Sequence, residues 1–590
     1  MKKRMLCLML AAIMLMSTAV FAEGETDNTA QPEQTAETAN ESAPLIDVDA
    51  TPTPVDEGEV MEEELDVSGA FQFGGFSGEQ LSVNFDQNAV SLCAEDDETA
   101  DDGSLTDAKG IQIILRLKTA IENQELSANI EDLNITYTED VKNKINNIVT
   151  EVLNSMPGEA FIYEKTAVSY YSNSKKSVSI NLTKKADAAS MRQTYSEEKE
   201  NVLSAIFPAG TGSMTATEIA LAVHDYIALH TRYDYNSECA NNSNAYGALV
   251  NGIAVCQGYA LLYKDLLNSL GVGCYFIGSD LINHAWNVVQ TEDGAWYNAD
   301  VTWDDPGMSD TIGGDNTGDK DYMGYCGHDY FMKTEDEIKK SHFTDRGYTE
   351  EQYKGEDGPN IYVAFEEEPL QASEAHPNTA FWSGVICGMQ YYNGAWYYND
   401  TTLRGNYLAD GTTLYPYMNG NICSTPYGTT RQGTKVASNA GAFALVNGKL
   451  IYAQFSGSYT DKIVRYDIAS GTTETLLDIE DNTVVTEFAA GRLNAANKIY
   501  GCNTIAYAII SGGVKDTTVY KLALDAVGDV NLDGSVDIAD LWLVCNHIMK
   551  GNVLAGTGLE KADMNGDGAI TVSDAVLICN AIAGVDDNEA

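Results

Sequence analysis

The sequence predicts a multidomain protein: an α+β core, a β-rich domain built as blade-like repeats or a sandwich, and a small all-α calcium-binding domain. Three observations predict it. Cys256, His284 and Asp300 fall in order within 244–306, where helical periodicity gives way to strand alternation. Residues 377–525 read as short alternating strands broken by Gly, Asn and Asp turns. Residues 529–540 recur 34 positions later as 563–574, each an oxygen-rich loop running into an apolar helix.

At 590 residues the chain has room for about four domains. Residues 1–22 form none of them. Lys2, Lys3 and Arg4 precede an apolar run from Met5 to Val20, with Val20 and Ala22 at the small-residue cleavage positions of a secretory signal peptide. No later apolar run is long enough to span a bilayer. The expectation is a secreted, extracellular chain with no membrane contact after signal cleavage. The net charge of −52, from 35 basic and 87 acidic side chains, argues against nucleic acid or anionic membrane as partners of the bulk field. Export permits disulfides, but cysteine density is low for a disulfide scaffold and the pairing stays open.

Residues 23–107 are rich in Glu, Asp, Thr, Ala and Pro and read as an acidic disordered linker that repels itself. Residues 108–208 read as an α/β extension. Helical periodicity covers 111–121, 138–153 and 187–207, and strand patterns cover 160–163, 167–171 and 177–182. Its expected role is to pack on the core and wall the cleft.

The core is expected over 209–350. Tyr259, Leu262, Tyr263, Leu266, Leu267 and Leu270 recur at helical spacing, and Gly271 follows as a C-terminal cap. Cys256 therefore sits at or just before the first turn of an amphipathic helix, where orphan N–H groups and the dipole favour an anion and lower a thiol pKa. Gly258 and Ala260 keep bulk low near the sulfur. Residues 273–277 read as a buried strand. Residues 284–290 and 295–301 then form a hairpin, with Gly294 in the left-handed region closing a three-residue loop. That odd length puts 286 opposite 300, so His284 and Asp300 share a face as diagonal neighbours. A two-residue loop would part them. A thiolate, a base beside it and a carboxylate fixing the base's tautomer make a nucleophilic constellation. The Cys256 backbone N–H is one oxyanion donor; Asn244 and Tyr246 are candidates for the other. His224 and His230, six apart on a helix, lack the spacing of a metal pair and read as surface or core histidines. Asp304 and Asp305 read as turn caps.

The segments VCQGYA, NHAWN and NADVTWDD, in that order and spacing, resemble the bacterial secreted branch of the transglutaminase-like superfamily, whose members share a papain-like Cys-His-Asp site. The resemblance extends upstream to IALAVHDYIALHTRYDY at 219–235 and downstream to HDYFM at 328–332. It implies Cys256 as nucleophile, His284 as general base and Asp300 as its orienter, with no cofactor needed for catalysis.

Within 377–525, GAWYYND, GKLIYAQ, KIVRYDIASGTTETLL, NKIYGC and TTVYKLALD carry aromatic strands before turns. About four blades of ~40 residues would fit, too few for most propellers, and a sandwich is equally open. Residues 526–586 hold the repeat. Asp529, Asn531, Asp533, Ser535, Asp537 and Asp540 occupy the calcium-ligand positions of the first loop; Asp563, Asn565, Asp567, Ala569, Thr571 and Asp574 occupy those of the second. Aspartate, not glutamate, stands at position 12, and no helix leads into the first loop. Cys545 and Cys579 take equivalent, buried helix positions. A duplicated loop–helix unit of this kind resembles a type I dockerin, as found in cellulosome-associated proteins. The resemblance implies two calcium ions and a cohesin domain of a scaffolding protein as partner. Loop positions 10 and 11, which carry partner recognition in that family, are Ile538 and Ala539 in one repeat and Val572 and Ser573 in the other. They depart from the Ser-Thr pair of the best-known members.

The expected protein is a secreted thiol enzyme acting on peptide or amide bonds of a protein or peptide substrate, by hydrolysis. The dockerin would attach it to a cell-surface, polysaccharide-degrading complex. Two alternatives stand beside it: a non-catalytic binding or structural subunit of that complex, and a protein cross-linking transglutaminase.

Overall fold

The computed structural model describes residues 57–65, 103–207, 210–279, 281–305, 325–354, 362–363, 370–401, 407–409, 414–429, 433–446, 448–493, 499–511, 514–515, 520–523, 528–531, 536, 538–551, 553–564 and 568–583. The leader at 1–22 and most of the acidic segment lie outside the described residues.

The extension is a four-stranded antiparallel sheet, ordered Val60–Glu64, Tyr163–Tyr171, Ser177–Lys184, Ser127–Asn129, with two long helices. Helix Asp107–Glu122 starts where Thr106 accepts from the Lys109 N–H, and helix Glu139–Ser155 where Thr138 accepts from Val141. The first strand corrects the reading of 23–107 as wholly disordered. Val60–Glu64 pairs along its length with the next strand, from Val60↔Tyr171 to Glu64↔Ala167. One of its glutamates is held by side chains of the extension: Glu63 accepts from the Tyr137 hydroxyl at 2.7 Å and from Lys142. Leu65 is buried just beyond. Average acidity over 85 residues hides one stretch with specific cations and donors waiting for it. The expected strand at 160–163 is also corrected. Pro157 starts a short helix, Pro157–Ala160, and the strand begins only at Tyr163.

In the core, a capping box of Thr215 and Glu218 starts helix Ala216–His230. The helix that Cys256 opens is Cys256–Ser269, and eleven of its fourteen residues are buried. It packs on an antiparallel sheet ordered Tyr362–Val363, Cys274–Ser279, His284–Gln290, Trp296–Ala299. The hairpin register runs from Asn287↔Ala299 to Gln290↔Trp296, with Gly294 at φ +86°. Extended by one pair, this is the register that sets 286 against 300. The second strand stops at Ala299, two residues earlier than expected. Asp300 instead caps the short helix Val301–Asp304 by accepting from the Trp303 N–H.

Beyond the core, the described strands do not divide into four-stranded blades. Seven antiparallel strands, from Gln390–Tyr392 to Thr473–Asp478, pair in one path, with the hairpin Tyr407–Ala409 and Leu414–Pro416 inserted after the second. A second sheet follows, built on Thr483–Leu493 and Ile499–Ser511. The C-terminal unit has helices Ile538–Lys550, Gly556–Ala562 and Val572–Ala583 around a small core of Val530, Leu541, Val544, Ala562, Ala575 and Ile578. Cys579 is buried and Cys545 half-buried. Among the described residues, no helix is long and apolar enough to cross a membrane.

Gly258 is required by backbone, not by the sulfur. A Cβ there would stand 2.5 Å from the Asn242 carbonyl oxygen and 2.7 Å from the Ala254 Cβ. Gly258→Ala should therefore cost about 1–3 kcal/mol of core stability, read as a lower urea midpoint by near-UV circular dichroism. An unchanged midpoint would show that the Cys256 helix does not need this close approach.

Candidate active site

The Cys256 helix, the hairpin and the short helix after it converge on one buried point. Cys256 opens its helix after the non-helical Val255 and is 4% exposed. His284 opens its strand, and its ring hydrogen-bonds both the Cys256 side chain and Asp300. The His284 Nε2 to Asp300 Oδ2 distance is 2.6 Å. With Nε2 committed to the carboxylate, Nδ1 is the nitrogen left for the thiol.

Asp300 is fully buried and takes three donors. His284 and His342 reach Oδ2 at 2.6 and 2.9 Å, and the Trp303 backbone N–H reaches Oδ1 at 3.1 Å. His342 comes from a π-helical turn, Lys339–Phe343, 42 residues downstream. Its Nε2–H donates to Asp300 while its Nδ1 takes the Ser341 hydroxyl at 2.9 Å. Trp303 stacks on His342 with centroids 4.0 Å apart and lies 5.3 Å from His284. Trp286 is buried beside both imidazoles and donates its indole N–H to Asn298 at 2.9 Å. Trp296 stacks on Tyr275 instead.

The electrostatics follow from these contacts. Burial alone would push the His284 pKa down. The Asp300 charge and hydrogen bond, with Cys256, outweigh it and raise the value to about 10. Burial would likewise raise Asp300, yet its two imidazoles hold it far below the usual carboxylate range. His342 is pushed down by burial, which keeps it a neutral donor.

The two candidates for a second oxyanion donor lie elsewhere. Asn244 accepts from the Gly247 N–H at 3.2 Å, and the Tyr246 ring packs 5.3 Å from Phe161. The group that lies against Cys256 is Tyr233, whose phenol feels both its thiol and its backbone. Burial and the neighbouring Cys256 raise its pKa, so it stays a phenol. His342 and Tyr233 both escaped the sequence reading; only the Tyr-Asp turn at 233–234 gave a local hint.

In the C-terminal unit, Asp529 and Asp540 are buried in one loop, Asp563 and Asp574 in the other. The last aspartate of each loop accepts from the backbone near its start: Asp540 from Asn531 and Asp574 from Met564, both at 2.9 Å. Thr571 and Ala569 are described; Asp533, Ser535, Asp537, Asn565 and Asp567 lie outside the described residues. The side-chain donors are all oxygen, which suits a hard divalent cation such as calcium. Ile538, Ala539, Val572 and Ser573 are all exposed, and so is Trp542, one turn on from Ile538 and 64% exposed.

Residues 207–301 match the family model of the transglutaminase-like superfamily, and residues 527–583 match that of the dockerin type I domain. The chain carries a transglutaminase-like core and a type I dockerin. No curated protein matches the chain. Matching solved structures include a TGase, at 16% identity and TM-score 0.16, over 26% of this chain and 48% of that one. A candidate cysteine protease from Cytophaga hutchinsonii matches at 16% identity and TM-score 0.16, over 23% of this chain and 53% of that one. The chain thus spans about half the length of these two. The transglutaminase-like match ends at 301, one residue past Asp300, so His342 lies outside it. The dockerin implies calcium and a cohesin partner.

A raised His284 pKa contributes stability in full below its unfolded value of about 6.5 and loses it as pH rises through about 10. The depressed Asp300 contributes in full above about 3.9 and is lost as pH falls through its lowered value. In Asp300→Asn the charge goes while burial stays, so His284 should titrate below about 6.5. Histidine ring shifts followed by NMR check this. The same titration in wild type and variant would refute the assignment of Asp300 as the group that charges His284.

Proposed function

We propose that the transglutaminase-like core is a secreted cysteine peptidase or amidase, tethered by its dockerin to a cohesin-bearing scaffold. The observation that carries this reading is the 2.6 Å contact between His284 Nε2 and Asp300, which leaves Nδ1 for Cys256 at a helix N-terminus. Cys256 Sγ attacks an amide carbonyl carbon. The developing oxyanion takes the Cys256 N–H and the O–H of the neighbouring Tyr233. His284 gives its Nδ1 proton to the leaving amine, and Asp300 stabilises the ring throughout. An acyl-thioester remains on Cys256. Water, deprotonated by His284, then releases the carboxylic acid and restores the thiol.

An amine in place of water would give cross-linking. The half-buried Trp303 beside His284 is an aromatic wall that favours it. A fluorescein-labelled casein incubated with a tagged primary amine separates the two. New peptide ends without tag are expected, and Cys256→Ala should lose at least about a thousandfold in rate. Cys256-dependent tag incorporation exceeding cleavage would reassign the protein as a cross-linking enzyme. Full turnover in Cys256→Ala would remove the thiol mechanism.

Two calcium ions would be held by the aspartates, Asn531, Asn565 and Thr571 of the two loops, with Ser535 and Ala569 at the backbone-carbonyl positions. Calcium supplies charge neutralisation among carboxylates that otherwise repel. Ile538, Ala539, Val572, Ser573 and Trp542 would face the cohesin; the single tryptophan makes the two repeats unequal. Calcium chelation should unfold 528–584 and abolish capture by an immobilised type I cohesin. Trp542→Ala should weaken capture at least about tenfold with the helices intact. Capture that survives excess chelator contradicts the tether.

A further inference from the structure

A second buried cluster lies away from Cys256. His224 and Asp225, on helix Ala216–His230, meet Cys326 and His328, about a hundred residues further along the chain. All four are at most 2% exposed. One ligand atom from each lies within 4.8 Å of every other. Asp225 Oδ1 stands 2.8 Å from His224 Nδ1, 3.1 Å from His328 Nε2 and 3.6 Å from Cys326 Sγ; Sγ stands 3.9 Å from His224 Nδ1. A tetrahedral zinc ion with bonds near 2.0–2.3 Å needs ligand–ligand edges of about 3.3–3.7 Å. These four edges lie within about 0.5 Å of that range, and the two remaining edges are no longer than 4.8 Å.

The far side of each imidazole is also fixed. His328 Nδ1 faces the Val385 carbonyl at 3.0 Å, and His224 Nε2 faces Asp304 Oδ2 at 3.2 Å. A carbonyl only accepts, so His328 carries its proton on Nδ1. Its neutral Nε2 would then point a lone pair at the Asp225 carboxylate, acceptor against acceptor. His224 repeats the problem between two carboxylates. Without a metal, each inner contact needs a proton of its own, with the two rings 5.7 Å apart in a dry core. One cation at the shared point replaces both inner protons and turns the outer contacts into the outer-shell support that zinc-bound histidines have.

We propose that His224, Asp225, Cys326 and His328 bind one zinc ion. Imidazole and thiolate donors exclude calcium and magnesium. Four protein ligands and full burial leave no open position, so the ion is structural. Binding expels the Cys326 thiol proton, which otherwise goes to the Gly327 carbonyl at 3.3 Å. The ion ties the core helix to the start of the β-rich domain, where the Met389 N–H also donates to Asp225 at 2.6 Å. It also braces the catalytic turn, because Asp304 holds His224 and accepts from the Tyr330 N–H at 3.1 Å. The helix reading that dismissed His224 compared it with His230. That residue bonds its own helix at the Tyr226 carbonyl, while Cys326 and His328 lie 102 and 104 positions from His224.

The test is elemental analysis and zinc X-ray absorption on the full chain purified without chelator and dialysed against Zn2+. About one tightly held zinc per chain is expected, with one sulfur and three nitrogen or oxygen neighbours. The double variant Cys326→Ala, His328→Ala should lose it. A chain that takes up no tightly held zinc, a zinc shell without sulfur, or equal zinc in the folded variant overturns the proposal. Should the variant fail to fold, Co2+-loaded wild type decides. Tetrahedral d–d absorption with a thiolate charge-transfer band supports the site, and octahedral cobalt without that band refutes it.

Discussion

Asp300 is a carboxylate with no exposure at all, and the architecture of the core answers to it. An unpaired charge at such depth would cost several kcal/mol. Three donors compensate: two imidazoles and one backbone N–H. Each comes from a different element, so each element's position is constrained. The hairpin register delivers His284, the helix start delivers the Trp303 amide, and the π-helical turn delivers His342. A one-residue slip in the hairpin would move His284 to the other face and strand the carboxylate. The charge on Asp300 is in turn what makes His284 an imidazolium over a wide pH range, the counter-charge a thiolate beside it needs.

The same turn links two buried polar networks. Asp300 and Asp304 stand at the two ends of one short helix. The first faces His284 and His342; the second faces His224 and the Tyr330 amide. Partly satisfied networks in a low-dielectric core are costly, so both must be completed together. That requirement ties the core helix, the catalytic turn and the start of the β-rich domain into one unit. The β-rich domain continues this apolar core, with Trp382 and Trp396 buried in the same cluster. Trp396 donates its indole N–H to Glu218, the residue that completes the capping box of the core helix.

Much of this was legible in the sequence, because it is local. Cys256 at a helix start, the odd hairpin loop and the duplicated acid loops are patterns within a few dozen residues, each with one physical reading. The unread parts are long-range. Nothing near His342 marks it as a partner of Asp300, since the contact is made by a turn 42 residues on. Tyr233 reaches Cys256 across a parallel pairing of two two-residue strands, Arg232–Tyr233 and Ile253–Ala254, too short to leave a pattern. Val60–Glu64 reads as linker in sequence because its strand partner and the Lys142 that pairs with Glu63 both lie about 80 to 110 residues on. In the β-rich domain, strand spacing was readable but the pairing path was not, because alternation says which face is buried and not which neighbour it has.

The buried Asp300 holds His284 charged beside Cys256, and the proposed chemistry needs that imidazole to activate the thiol. The most direct measurement of that activation is the rate of Cys256 alkylation by iodoacetamide against pH, read by peptide mass spectrometry in wild type and in His284→Ala. The expected wild-type rate exceeds the variant's by at least about tenfold at about pH 6. Equal rates in the two proteins, both climbing with pH as an ordinary thiol does, would contradict that activation.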